Sequence, residues 1–329
     1  MNVRRRRISG IAVTAATALG LGTLSACSSD SSAAGTAGNT DKFDVVASFY
    51  PMEYLAEQIG GDHVNVTTLT EPGQEPHDLE LSAKQTAQMG EADAVLHLKS
   101  LQPAVDEAIA QSDVKTKIDA ATLTKLEDHG NVEHDHGGEE HADEHAEEEH
   151  SEGGEHALDP HVWLDPVKYA EIAQGVAQAF EKADPDHADD YRKNAEALAK
   201  KLGGLDTAFK NGLAKTDSKV FFTNHAAFGY LAERYGLTQE AINGLDPESE
   251  PSPARIKELQ EEAKADGVTT VFYETLVSDK TAKTLAKDAG LKTDVLDPLE
   301  GITDKSKGED YVGVMESNLK ALETALGAK

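Results

Sequence analysis

The sequence predicts an α/β protein of two lobes, each built on a mainly parallel sheet, with one long backbone helix joining them. Two observations carry that prediction. Short runs rich in β-branched and aromatic residues alternate with helical runs from Phe43 onward, the order expected of parallel strands connected through helices. In the middle of the chain, apolar residues recur at intervals of four and three for about six turns, longer than an ordinary connecting helix needs.

Residues 1–26 read as a lipoprotein signal peptide. Arg4–Arg7 form a basic start, Ile8–Ala26 carries no charge, and the stretch closes on Leu24-Ser25-Ala26-Cys27, which resembles a bacterial lipobox. Cys27 is the single cysteine of the chain, so an intramolecular disulfide is excluded and lipidation is the expected role of its thiol. An uncleaved signal anchor is the alternative, disfavoured by the many Ala, Gly, Thr and Ser. The arginines are compatible with either general or twin-arginine export. Residues 27–42 then form a Ser/Gly/Ala/Thr tether with nothing to bury. Beyond residue 26 the chain has 27 basic against 60 acidic residues, a net −33 that excludes nucleic acid as a partner.

The N-terminal lobe is placed at 43–184. Its strands are Phe43–Phe49, Val64–Thr70 and Ala94–Leu98, and its helices Ser82–Met89 and Pro103–Ala110. Within it, residues 127–156 hold seven histidines and thirteen carboxylates in thirty positions, with no Lys or Arg. Such a segment cannot form a core, but it offers many imidazole and carboxylate ligands to a divalent transition metal. His129, His134, His136, His141, His145, His150 and His156 are therefore expected to act as an auxiliary, weak metal-collecting loop; a solvated acidic linker is the bland alternative.

The linking helix is placed at 185–215. Tyr191, Ala195, Leu198, Leu202, Leu205, Phe209 and Leu213 form its stripe, Asp184-Pro185 its start, and Gly203-Gly204 a possible bend. The C-terminal lobe, 216–329, follows with strands Lys219–Thr223, Val268–Tyr273 and Thr293–Leu296, and helices Pro253–Ala265 and Lys280–Ala289.

Three histidines outside the tract stand just beyond strands or in the loops after them: His77 in EPGQEPHDLE, His161 in LDPHVWLDP and His225 after KVFFTN. Glu274 follows VTTVFY in the same way. Ligand sites of open parallel sheets lie outside the carboxyl ends of the strands, so these four are expected to meet in the interlobe cleft. Three imidazoles and a carboxylate suit a tetrahedral zinc shell. Asp165 and Asn224, each near a histidine in sequence, are candidate outer partners for the imidazoles. Trp163 is expected to pack beneath His161, and His63, His97 and His187 to be surface or packing residues.

The stretches VVASFYPMEYLAEQIGGDHVNVTTLTEPGQEPHDLELS, DPHVWLDP, FFTNHAAFGYLAERYGL, PESEPSPARIKEL and VFYETLVSDK resemble the metal-binding solute-binding lipoproteins of bacterial ABC importers, the ZnuA-like and AdcA-like cluster. The resemblance covers nearly all of the chain after the tether. It implies two α/β lobes on a backbone helix, with His77, His161, His225 and Glu274 as ligands. A third histidine and a His-rich loop before the second ligand imply zinc rather than manganese as the transported ion. It implies as partners a membrane permease, a cytoplasmic ATPase and, through lipidated Cys27, the outer face of the cell membrane, with the chain acting as a monomer. Ala94–Ser100 lacks the Asn-Gly turn expected after its strand.

The function expected is extracytoplasmic zinc capture and delivery, with no chemical step. The alternatives are a manganese-binding homologue, a surface zinc buffer or adhesin, and a secreted zinc hydrolase. The last is opposed by the absence of HExxH; the nearest phrase, His141-Ala-Asp-Glu-His145, lacks the second-position Glu.

Overall fold

Two sheets of four parallel strands stand at the centre of the computed structural model, which describes residues 42–129 and 158–329. The first sheet has the order β2-β1-β3-β4, with β1 Phe43–Ala47, β2 Val64–Thr68, β3 Ala94–His97 and β4 Thr116–Asp119. The second repeats the pattern as β6-β5-β7-β8, with β5 Val220–Thr223, β6 Thr238–Ala241, β7 Thr270–Tyr273 and β8 Lys292–Val295. The predicted α/β class with mainly parallel sheets is thus the observed one. Strands β4 and β6 lie at sheet edges, where one flank is free of pairing; TKID and TQEA accordingly lack the apolar run that marks a central strand, and neither is legible in the sequence.

Alternation along the central strands sends side chains to two different cores. Val45 and Ala47 of β1 join the large core, whereas Val46 joins a smaller one under helices α2 (Ala83–Glu91) and α3 (Pro103–Gln111). Phe221 and Phe272 likewise enter the large core, while Phe222 and Val271 face α7 (Pro253–Ala265) and α8 (Lys280–Ala289). The large core takes residues from both halves of the chain. It also buries one side of α1 (Tyr50–Gly60), α4 (Pro166–Ala183), α5 (Ala188–Gly212), α6 (Gly229–Tyr235) and α9 (Tyr311–Leu326).

The linking helix is α5, and every residue of its predicted stripe is buried. Its start differs from expectation: Pro185–His187 forms a 3-10 turn, and the α-helix begins only at Ala188. Asp184 does not cap the backbone, because its carboxylate accepts from Tyr191 Oη at 2.5 Å and His187 Nδ1 at 2.7 Å. The helix runs unbroken through Gly203 and Gly204. Two hydrogen bonds tie the halves together near the site. Trp163 Nε1 donates to Pro298 O at 2.7 Å, and Tyr311 Oη donates to Trp163 O at 2.6 Å. In the loop without Asn-Gly, Ser100 adopts a left-handed φ of 75°, and its N–H is held by Asp106 Oδ2 at 2.8 Å.

Candidate metal centre

The loops that follow strands converge between the two sheets. His77 comes from the loop after β2, and His161 from the segment between β4 and α4. His225 follows β5, Glu274 follows β7, and Glu300 lies in the loop between β8 and α9. The structure brings His77, His161 and His225 together, as the sequence predicts, but sets Glu300 beside them rather than Glu274.

All three imidazole Nε2 atoms face one oxygen. Glu300 Oε1 lies 3.2 Å from His77 Nε2, 3.2 Å from His161 Nε2 and 3.3 Å from His225 Nε2, and the Nε2 atoms of His161 and His225 are 3.3 Å apart. These distances exceed the ~2.7–2.9 Å of a good charged hydrogen bond. They match the edge of a tetrahedron around zinc, which is ~3.3 Å for ligand bonds of ~2.0–2.1 Å. Glu300 Oε2 is also buried without a hydrogen-bond partner among the described residues. The donor set therefore fits a zinc-class ion in both chemistry and spacing.

The far nitrogens explain why the imidazoles point this way. His161 Nδ1 donates to Asp159 Oδ1 at 2.7 Å, and the same oxygen accepts the His161 backbone N–H at 2.9 Å. His225 Nδ1 donates to Glu274 Oε1 at 2.7 Å. A carboxylate on Nδ1 fixes the tautomer, leaving the Nε2 lone pair free for a metal. Glu274 is thus an orienting group with an imidazole between it and the ligand point. Neither predicted outer partner plays that role. Asp165 is the N-cap of α4, accepting from Val167 N at 2.8 Å and pairing with Arg234. Asn224 Oδ1 is buried without a partner among the described residues, and the Asn224 carbonyl instead accepts Asn243 N at 2.8 Å. Sequence proximity does not decide the role: the α4 cap and Arg234 take Asp165, and the Asn224 side chain meets no partner among the described residues.

Glu300 was hidden in LDPLEGI, which reads as an apolar turn. Its one signal is a carboxylate inside a run of otherwise buried residues, since unpaired charge is not buried without a partner. The preceding Leu299 is fully buried and held at a left-handed φ of 59°, and its N–H is fixed by Asp297 Oδ1 at 2.9 Å. A branched apolar residue reaches that region only at a cost of about 1–3 kcal/mol, and such strain clusters at ligand sites.

Electrostatics reinforce the geometry. Burial disfavours charge on His161, but Asp159 and Glu300 outweigh it and push the imidazole above its ordinary value. Burial acts likewise on His225, and Glu274 and Glu300 overcome it to raise that ring well above the usual range. Burial would lift Glu300, yet the charge of His225 and hydrogen bonds from the imidazoles hold it well below the usual carboxylate range.

Trp163 lies 5.3 Å from the His161 ring, centroid to centroid, in the supporting position expected of it. His63 and His187 stack on each other at 4.0 Å and His97 pairs with Asp106; none of the three joins the cluster. Of the tract, Glu127, Asp128 and His129 are described. His134, His136, His141, His145, His150 and His156 lie outside the described residues, as does Cys27.

A family model described as "ZnuA: Zinc-uptake complex component A periplasmic" matches residues 45–325. The chain belongs to that family. Among its ZnuA-family relatives, the zinc-binding lipoprotein AdcA of Streptococcus pneumoniae is 39% identical over 91% of this chain and 58% of its own length. The chain thus spans little more than half of that relative. The high-affinity zinc uptake system protein ZnuA of Bacillus subtilis is 36% identical over 98% of this chain and 99% of its own. The crystal structure of the Zn(II)-bound ZnuA-like domain of Streptococcus pneumoniae AdcA superposes with a TM-score of 0.69, at 37% identity over 87% of this chain and 99% of that one.

Proposed function

We propose that the chain is the extracytoplasmic zinc-binding subunit of an ABC importer, holding Zn2+ through His77, His161, His225 and Glu300 and delivering it to a membrane permease driven by a cytoplasmic ATPase. The observation that carries this reading is the set of imidazole–carboxylate separations of 3.2–3.3 Å, with two of the imidazoles anchored from behind by carboxylates. Zinc is cargo here. Four protein ligands close the shell, leaving no position for an activated water, so a carrier is favoured over a hydrolase. Three nitrogen donors favour zinc over manganese, which prefers oxygen. The names of the zinc-binding relatives support the same ion. Lipidation of Cys27 would keep the protein beside its permease.

Metal analysis of the purified chain by mass spectrometry, together with zinc titration, tests the reading. One tightly held zinc, lost in His225→Ala and in Glu300→Gln, is expected. Tight binding that survives both substitutions would overturn it. Zinc uptake by cells lacking the gene should return with the wild-type chain and fail with His225→Ala. Cys27→Ala should move the protein from the membrane fraction to the medium or periplasm.

A further inference from the structure

Asp297, Pro298 and Leu299 lead directly into Glu300, and the turn they form is held from two directions. From its own lobe, Asn318 of α9 accepts Asp297 N–H at 3.0 Å through Oδ1 and donates Nδ2–H to Asp297 O at 2.7 Å. The Asp297 carboxylate in turn accepts Leu299 N–H at 2.9 Å and Ser306 Oγ–H at 3.0 Å, and Leu299 stays in its left-handed conformation. Pro298 has no N–H, so its carbonyl oxygen is the one backbone group through which it can be hydrogen-bonded. That oxygen is buried and is held from the first lobe, by Trp163 Nε1–H at 2.7 Å.

Trp163 is fixed where it can do this. It is fully buried in the 3-10 turn Val162–Leu164, which joins His161 to the cap of α4. Its ring meets Phe49, just beyond β1, edge-on at a centroid distance of 5.0 Å, and lies 5.3 Å from the His161 ring. Tyr311 Oη donates to its carbonyl at 2.6 Å. The indole N–H therefore ties a residue two beyond one ligand to a residue two before another, across the cleft. A buried carbonyl stripped of its donor costs more than the bond itself contributes, so the contact is not readily given up.

We propose that Trp163 is a positioning residue for zinc, its indole N–H bracing the strained turn so that Glu300 Oε1 stands before the imidazoles when the ion arrives. The inference rests on the cleft assignment proposed above and adds to it the group that sets how much of the free protein is ready to bind. Leu299 is held in a costly conformation only while its surroundings enforce it, and the Trp163 bond is the brace supplied by the other lobe. Without that brace the turn relaxes, fewer molecules present Glu300, and the apparent affinity falls by that fraction.

Trp163→Phe would leave a cavity beside His161, so the sharper test replaces the indole by benzothienylalanine, which keeps the bicyclic shape and puts sulfur where the N–H was. Trp163 is the only tryptophan of the chain, so no other position changes. Zinc titration against a competing chelator, with the Tm of the zinc-free protein measured alongside, compares the two chains with and without Glu300→Gln. The analogue should weaken zinc binding about 10-fold when Glu300 is present and by less than ~2-fold beside Glu300→Gln, since the N–H acts through that carboxylate. A lower Tm with unchanged affinity would reduce Trp163 to packing and overturn the proposal. An equal loss of affinity in both backgrounds would overturn it too. Either outcome leaves the cleft assignment standing on the difference between wild type and Glu300→Gln; zinc held equally tightly by those two would remove both readings.

Discussion

At the scale of single residues, the site divides carboxylates by which imidazole nitrogen they meet. Glu300 meets Nε2, where a metal would be held in the proposed site; Glu274 and Asp159 meet Nδ1, behind the rings. The two roles predict different losses. Glu300→Gln removes a negative ligand and should eliminate tight zinc binding, whereas Glu274→Gln keeps the ligand set and should weaken it by about 10–100-fold. Titration against a competing chelator distinguishes them, and equal losses would merge the two roles. The pH response follows from the raised imidazoles. A raised histidine stabilises the metal-free fold fully below its unfolded value of ~6.5 and loses that contribution as pH climbs through its folded value. Zinc must displace those protons, so its affinity rises over the same interval. The zinc-dependent gain in Tm should therefore grow as pH climbs from ~6.5 through the raised folded values and shrink below ~6.5. Calorimetric scans with and without zinc would show it, and a constant gain would mean that His161 and His225 do not titrate with the metal.

At the scale of elements, α5 shows which parts of a helix the fold depends on. Leu202 is fully buried within the large core, and Leu202→Ala should cost about 2–5 kcal/mol by the lost transfer energy and the cavity left behind. Gly203 and Gly204 are exposed, and a Cβ on either would meet nothing within 4 Å. Ala at either position should raise stability by about 0.5–1 kcal/mol through helix propensity alone. Denaturant unfolding measures both effects. A loss of zinc affinity in Gly203→Ala without a loss of stability would show that the glycine pair lends α5 a motion that binding uses. The stripe of α5 was legible because seven apolar residues kept one face over six turns. Its start was not, since Asp184 found Tyr191 and His187 as partners, contacts that depend on how the first turn packs.

At the scale of the whole molecule, both sheets share one large core, so the two halves are expected to unfold in a single transition despite their separate sheets. Zinc bound across the cleft as proposed would add to that coupling. At free zinc ~1,000 times the dissociation constant, binding adds ~4 kcal/mol, which for a fold of this size raises Tm by roughly 7 °C. Differential scanning calorimetry would show one peak moving upward; two peaks, only one of them zinc-sensitive, would mean that the lobes unfold independently.

What the sequence determined by itself was everything carried by local pattern. Alternating runs specified parallel α/β lobes, the helical stripe specified α5, and histidines placed after strands specified three members of the cluster, because strand ends and helix faces follow from residue spacing alone. The tertiary structure decided what depends on the approach of distant loops. Edge strands β4 and β6 hold their place through pairing that few apolar residues announce. Glu300 and Glu274 both follow strands of the second lobe, and nothing local tells a ligand from the group behind it. Only the packing of Leu299 at its strained turn, and of His225 between the two carboxylates, assigns one to each imidazole nitrogen. Asp159, two residues before His161, and Asp165, four residues after it, look alike as candidate partners in the sequence. The cap of α4 claims Asp165, and that leaves Asp159 alone to face the imidazole.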